Sequence, residues 1–150
     1  MSDETAQRRP IGWWLKEADG RIEAAFDGAL EGTGVDRRTW QVLTSLGRGP
    51  MSLEALAAAL GSFDGYATVA GLVDRLRAEG LVDAAGGVLR LTAAGVEQER
   101  ALAPLVDGVR RRVAGALPGD DYATLVSLLA RLVEALGDET PSTPSATGPT

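Results

Sequence analysis

The apolar pattern changes period once along the chain, and that change limits the fold more than any other feature. Leu81-Val-Asp83 and Val88-Leu-Arg-Leu91 flank Ala84-Ala-Gly-Gly87, short period-two runs around a glycine pair, which predict a tight β-hairpin. The flanking sequence repeats at helical spacing. Ile11, Leu15, Ala18, Ile22, Ala25 and Ala29 recur every three or four residues, predicting a helix from Pro10 to Leu30 with Pro10 in its first turn. Gly32-Thr-Gly34 ends it, and Asp36 is placed to cap a second helix running through Trp40, Leu43 and Leu46 to Gly47-Arg-Gly-Pro50. Ser52 caps a third helix, Leu53 to Leu60, ended by Gly61; Asp64 caps a fourth, with Val69, Leu72, Val73 and Leu76 inward, ending at Gly80.

Beyond the hairpin, Thr92 caps a fifth helix from residue 93 to Leu117, striped by Val96, Leu102, Val106, Val109 and Val113. Pro104 inside it is expected to kink it. Pro118 is expected to open a sixth helix carrying Tyr122, Leu125, Leu129, Leu132 and Leu136, with Gly137 as its stop. Residues 1–9 and 138–150 are polar and are expected to be disordered, because neither can bury a core. The expected fold class is therefore mainly α with a small β-hairpin wing (α+β). Residues 34–92 make a winged helix-turn-helix lobe, within a domain spanning 10–137 whose remaining helices, 10–33 and 93–137, lie outside that lobe.

With 150 residues the chain suits one domain, which buries roughly two-thirds of its unfolded surface. It has no Cys and no His, which removes thiolate chemistry, the usual zinc and iron ligands, and the commonest general base near neutral pH. No catalytic residue, metal ligand or cofactor is expected. Asp120 and Asp121 suit the first turn of a helix, where the dipole stabilises carboxylates. Glu97 and Glu99 point to different sides of theirs. Gly86-Gly87 is a turn, because no helix start follows to cradle a phosphate. Charges interrupt every apolar stretch well short of the ~20 residues a membrane span needs, and the first nine residues contain no apolar run resembling a signal peptide. A cytoplasmic protein without membrane contact is expected. The net charge of −6 argues against broad, non-specific nucleic-acid binding.

Four stretches, in this order, resemble the MarR family of dimeric winged-helix transcription regulators. Ile11-Gly-Trp-Trp-Leu-Lys-Glu-Ala-Asp19 looks like the family's first helix, and Val35-Asp-Arg-Arg-Thr-Trp-Gln-Val-Leu43 like the helix that opens its DNA-binding lobe. Ala67-Thr-Val-Ala-Gly-Leu-Val-Asp-Arg-Leu-Arg-Ala-Glu-Gly-Leu-Val82 is similar to the recognition helix running into the wing. Leu91-Thr-Ala-Ala-Gly95 matches the step from wing to fifth helix. The match covers about residues 10–137. It implies a homodimer joined by the first, fifth and sixth helices, a recognition helix in the major groove of a pseudo-palindromic DNA operator, and an effector pocket between dimer and DNA-binding lobes. The residues support the dimer independently: Val126, Leu128 and Val133 beside the main stripe make the sixth helix's apolar face too wide for one neighbour.

For DNA contact the expected residues are Gly65, Tyr66, Thr68 and Gly71 on the outer turns of the recognition helix, with Ser52, Arg75 and Arg90, and with Arg37 and Arg38 on phosphates. The same residues also suit an ordinary solvated surface. Six arginines in the 34–92 lobe face six carboxylates, so the lobe is neutral. The hairpin tip lacks the arginines that family members carry there, which keeps open a second reading: a dimeric protein-interaction module that has lost DNA binding. Trp13, Trp14 and Trp40 are the candidates for a small aromatic effector. At ~100° per residue Trp14 falls on the apolar stripe, and Trp13 lies about 200° from Ile11 on the polar side, where it needs a cover. Core packing is the alternative for all three.

Overall fold

The structure, a computed structural model, describes residues 2–61 and 65–137. Asp64, expected as a helix cap, and the tail 138–150 lie outside the described residues. The elements are α1 (Ser2–Gln7), α2 (Ile11–Ala29), α3 (Arg37–Gly47), α4 (Leu53–Ala59), α5 (Tyr66–Ala78), β1 (Val82–Ala85), β2 (Val88–Leu91), α6 (Ala93–Ala116) and α7 (Asp121–Gly137). The chain divides into two compact units, Met1–Arg110 and Arg111–Thr150.

In the first unit the caps form where the sequence places them. Asp36 Oδ1 accepts the N–H of Thr39 at 2.8 Å, Ser52 Oγ that of Ala55 at 3.1 Å, and Thr92 Oγ1 that of Gly95 at 3.1 Å. The helix α5 ends in a Schellman pattern, with Gly80 N–H donating to Arg77 O and Leu81 N–H to Leu76 O. The chain turns directly into β1.

The wing pairs β1 antiparallel with β2, Ala85 opposite Val88 and Asp83 opposite Arg90. Gly86 and Gly87, at φ of 60° and 76°, close it as a two-residue turn of the mirror-image type that matches strand twist. Ala84 and Ala85, expected in the tip, belong to β1 instead, so the pairing extends further and the turn is shorter than the sequence suggested. Met51 adds one residue of antiparallel pairing by exchanging both backbone hydrogen bonds with Leu89. Gly95 packs so closely under Leu81 that a Cβ would overlap the Leu81 carbonyl oxygen. This close approach is why Leu91-Thr-Ala-Ala-Gly95 has glycine at its end.

One apolar cluster holds this unit together. It takes Trp40, Leu43 and Leu46 from α3, Leu56 from α4, Val69, Val73 and Leu76 from α5, Val82 and Leu89 from the wing, and Leu102 and Val106 from α6. Each such side chain contributes about 1.5–3 kcal/mol on burial. Helix α2 contributes no fully buried residue.

Helix α6 carries Pro104 in its interior, where the sequence places it. Two expectations about the elements differ from what forms. The segment 1–9, expected to be disordered, contains α1, whose Ala6 carbonyl accepts the Trp14 Nε1–H at 3.2 Å. Pro118 does not open the last helix: residues 118–120 form a turn, and α7 starts at Asp121 with Thr124 N–H bonded to Asp120 O. In the second unit α7 has no buried residue, and Tyr122, Leu125, Val126, Leu128, Val133 and Leu136 are all exposed.

Candidate nucleic-acid interface

Helix α5 presents two chemically distinct sides. Val69, Val73 and Leu76 are at most 3 % exposed and fix it in the core. Gly65, Tyr66, Ala67, Thr68, Gly71 and Arg75 are exposed. Thr68, Gly71 and Arg75 follow at spacings of three and four, so they share one outer face. Tyr66 stands beside them near the helix start. Among the described residues, no atom lies within 4 Å of where a Gly71 Cβ would be. A glycine in a helix interior costs about 1 kcal/mol relative to alanine, and no packing among those residues requires one here.

The arginines expected at the interface differ in exposure and in partner. Arg37, expected on a phosphate, is turned inward: its side chain is 10 % exposed and ion-paired to Glu23 at 2.6 Å and Asp19 at 3.6 Å. Its guanidinium also lies 5.0 Å from the Phe26 ring centre. The carboxylates sit on the polar side of α2, far enough back in sequence that local reading missed them. Arg38 is half-buried. Arg75 is half-exposed, and its Nη2 donates to Thr39 Oγ1 at 2.6 Å. Arg90 is exposed on β2 opposite Asp83. Ser52 is half-buried and uses its hydroxyl as the α4 cap.

The start of α3 is strongly polarised. Burial works against ionisation of Asp36, but hydrogen bonds from the Thr39 backbone and side chain and the Arg75 charge hold its carboxyl below the usual 3.8.

The tryptophans do not form one site. Trp40 is 2 % exposed in the core cluster, so the structure assigns it to packing, because its ring supplies the largest apolar area in that lobe. Trp13 and Trp14 meet edge to face with centres 4.7 Å apart. The cover that Trp13 needs is Arg9, whose guanidinium lies 4.0 Å from the ring centre. Trp14, placed by its spacing on the apolar stripe, remains 43 % exposed. Among the described residues no group of His, Cys, Asp and Glu could hold a metal ion, and no helix is long and apolar enough to cross a membrane.

No protein-family model and no curated protein matches the sequence. Solved structures do match. A MarR family protein of Mycobacterium tuberculosis, in complex with DNA, superposes with a TM-score of 0.63 at 20 % identity, over 83 % of this chain and 98 % of that one. The fold is that of the MarR family. NadR in complex with 4-hydroxyphenylacetate has the same MarR fold, with a TM-score of 0.71 and 23 % identity over 85 % of this chain and 98 % of that one. A probable transcriptional regulator from Pseudomonas aeruginosa aligns at 29 % identity and a TM-score of 0.69, covering 81 % of this chain and 96 % of its own. The expected architecture, mainly helical with a two-stranded wing, is thus the observed one.

Proposed function

We propose that the chain is a homodimeric, sequence-specific DNA-binding regulator of transcription in the cytoplasm, acting as a repressor released by a small apolar or aromatic ligand. The observation that carries this reading is α5. Its inner face is locked into the core while Tyr66, Thr68 and Gly71 stand exposed on its first turns, the part of a recognition helix that meets base edges. Thr68 suits a thymine methyl or a hydrogen bond, Tyr66 suits a phosphate, and Gly65 and Gly71 allow close approach of the helix to the groove. Arg75, Arg90 and Arg38 are the basic groups assigned to the DNA side, whereas Arg37 is engaged with α2 and leaves the phosphate set.

The dimer is supported by the apolar face of α7, which is left exposed among the described residues. The effector is supported by a ligand-bound protein of the same fold, and by the Trp13–Trp14 pair, where an aromatic ligand competing with Arg9 for the Trp13 face would find apolar area. Trp40 would then report the core and not the ligand.

A second reading, a dimeric protein-interaction module, is favoured by one observation. The wing closes on Gly86-Gly87 with no basic side chain at its tip, so it offers nothing to a minor groove. Titrating the purified protein into the DNA upstream of its own gene, with excess unrelated competitor and at two salt concentrations, separates the two. Saturable binding that resists the competitor and weakens with salt supports the regulator. No binding at low salt, to that DNA or to genomic fragments, supports the module.

A further inference from the structure

The first turn of α3 is bonded in two directions. Arg37 reaches back to α2, where Asp19 and Glu23 lie one turn apart on the same face and hold its buried guanidinium. Thr39, two residues on and 3 % exposed, accepts the Arg75 Nη2–H from α5 at 2.6 Å. Asp36 ties the turn together by accepting the Thr39 N–H. Glu79 steadies the other side of Arg75, with its carboxylate 3.9 Å from Nε.

These contacts are costly to rearrange. A guanidinium as enclosed as that of Arg37 must follow the carboxylates that pair with it, because an unpaired buried partner is costly. A close-packed turn moves as a body because its neighbours leave no room for partial adjustment. A displacement of α2 therefore moves the α3 start, and the Thr39 hydroxyl takes the Arg75 end of α5 with it.

We infer that Glu23, Arg37, Thr39 and Arg75 form a polar relay through which the position of α2 sets the orientation of the exposed face of α5. Arg37, Thr39 and Arg75 are positioning residues in this account, and Arg75 acts on the reading face by anchoring it. The inference rests on α5 being the DNA-reading helix only for its functional consequence. The mechanical coupling stands apart from it.

Hydrogen exchange on the full chain tests the coupling without DNA. Glu23→Gln should speed exchange of the α5 amides about threefold or more, although the Glu23 hydrogen bond is to α3 and not to α5. Glu23→Asp and Arg37→Lys, which keep the charges, should restore most of the protection. Val109→Ala, a core change in α6 outside the relay, should not act selectively on α5. Unchanged α5 exchange in Glu23→Gln, or a change spread evenly over all helices as in Val109→Ala, overturns the relay. If Glu23→Gln does not fold, the same comparison between Arg37→Lys and Thr39→Val decides it, with selective loss of α5 protection expected in Thr39→Val alone. In DNA titrations, Glu23→Gln and Thr39→Val should weaken binding less together than the product of their separate effects, and simple additivity counts against the relay. A wild-type chain that binds no DNA overturns the regulator reading and leaves the relay to be judged by exchange.

Discussion

The Asp36 carboxylate accepts the Thr39 backbone N–H at 2.8 Å, and this contact both starts α3 and gives the fold an acid-sensitive point. Replacing a capping Asp with Ala costs about 1 kcal/mol, so Asp36→Ala should lower the unfolding free energy read from urea titration by that much, whereas Asp36→Asn retains a capping oxygen and should lose less. The native carboxyl titrates below its ordinary 3.8, so between the two values the unfolded chain binds more protons than the folded one. Its stabilising share is complete above the ordinary value and is lost as pH falls through the lowered native one. Urea midpoints measured from pH 6 down to pH 2.5 should show a shallower acid limb in Asp36→Asn than in the wild type. Equal slopes would mean that Asp36 is not held below its ordinary value.

Two glycines of the first unit make opposite predictions. A Cβ at Gly95 would overlap the Leu81 carbonyl oxygen, which is backbone and cannot swing aside. Gly95→Ala should therefore separate the wing from α6 and cost more than 2 kcal/mol, on the order of other overpacked sites. Gly71→Ala meets nothing and removes backbone freedom from the unfolded chain, so it should raise stability by about 0.5–1 kcal/mol. If the outer face of α5 lies in a groove, the same substitution should weaken operator binding while the melting temperature rises. Higher stability with unchanged affinity would place that face away from the DNA.

How much of this was legible in advance follows the range of each interaction. The caps at Asp36, Ser52 and Thr92 act over three residues, and the hairpin turn over two, so their signals survive in a local reading. The apolar periods place Val69, Val73 and Leu76 inward for the same reason. The inward turn of Arg37 has no local signal, because its partner Glu23 is fourteen residues away and a charge at a helix start looks the same whether it faces solvent or another helix. The inward direction of Trp40 suits a pocket lining and a packed core equally, since periodicity gives direction and not what lies there, and the structure has it in the core. The Met51–Leu89 bridge had no signal at all, because one residue of pairing has no period.

The apolar face of α7 predicts its own test. Leu128 and Val133 are exposed in the single chain, Val133 at 72 %, so substituting them disturbs no packing within the unit. Leu128→Glu with Val133→Glu should reduce the sedimentation mass from two chains to one. The buried Trp40 should keep its near-ultraviolet dichroism, because neither residue belongs to the core cluster around it. A mass of one chain in the wild type would remove the dimer, and with it the expectation of a palindromic operator.

The wing gives the sharpest division between a regulator and an interaction module. Ala85 is exposed at the end of β1, next to Gly86-Gly87, so a long side chain there projects from the tip without entering the core. Ala85→Arg supplies the cation that the tip lacks. If the wing lies beside DNA, each new phosphate contact should steepen the dependence of log affinity on log salt by about 0.9, or about twice that for a dimer with two wings. Affinity at low salt should rise, with little change in the melting temperature. Were the lobe to face a protein partner instead, the added charge would leave DNA binding as weak as before, because an isolated arginine cannot orient a duplex on a neutral surface. Fluorescence anisotropy of a labelled operator fragment across a salt series reads both slope and affinity from one experiment. A steeper slope places the wing at the backbone even though its natural tip carries no charge of its own.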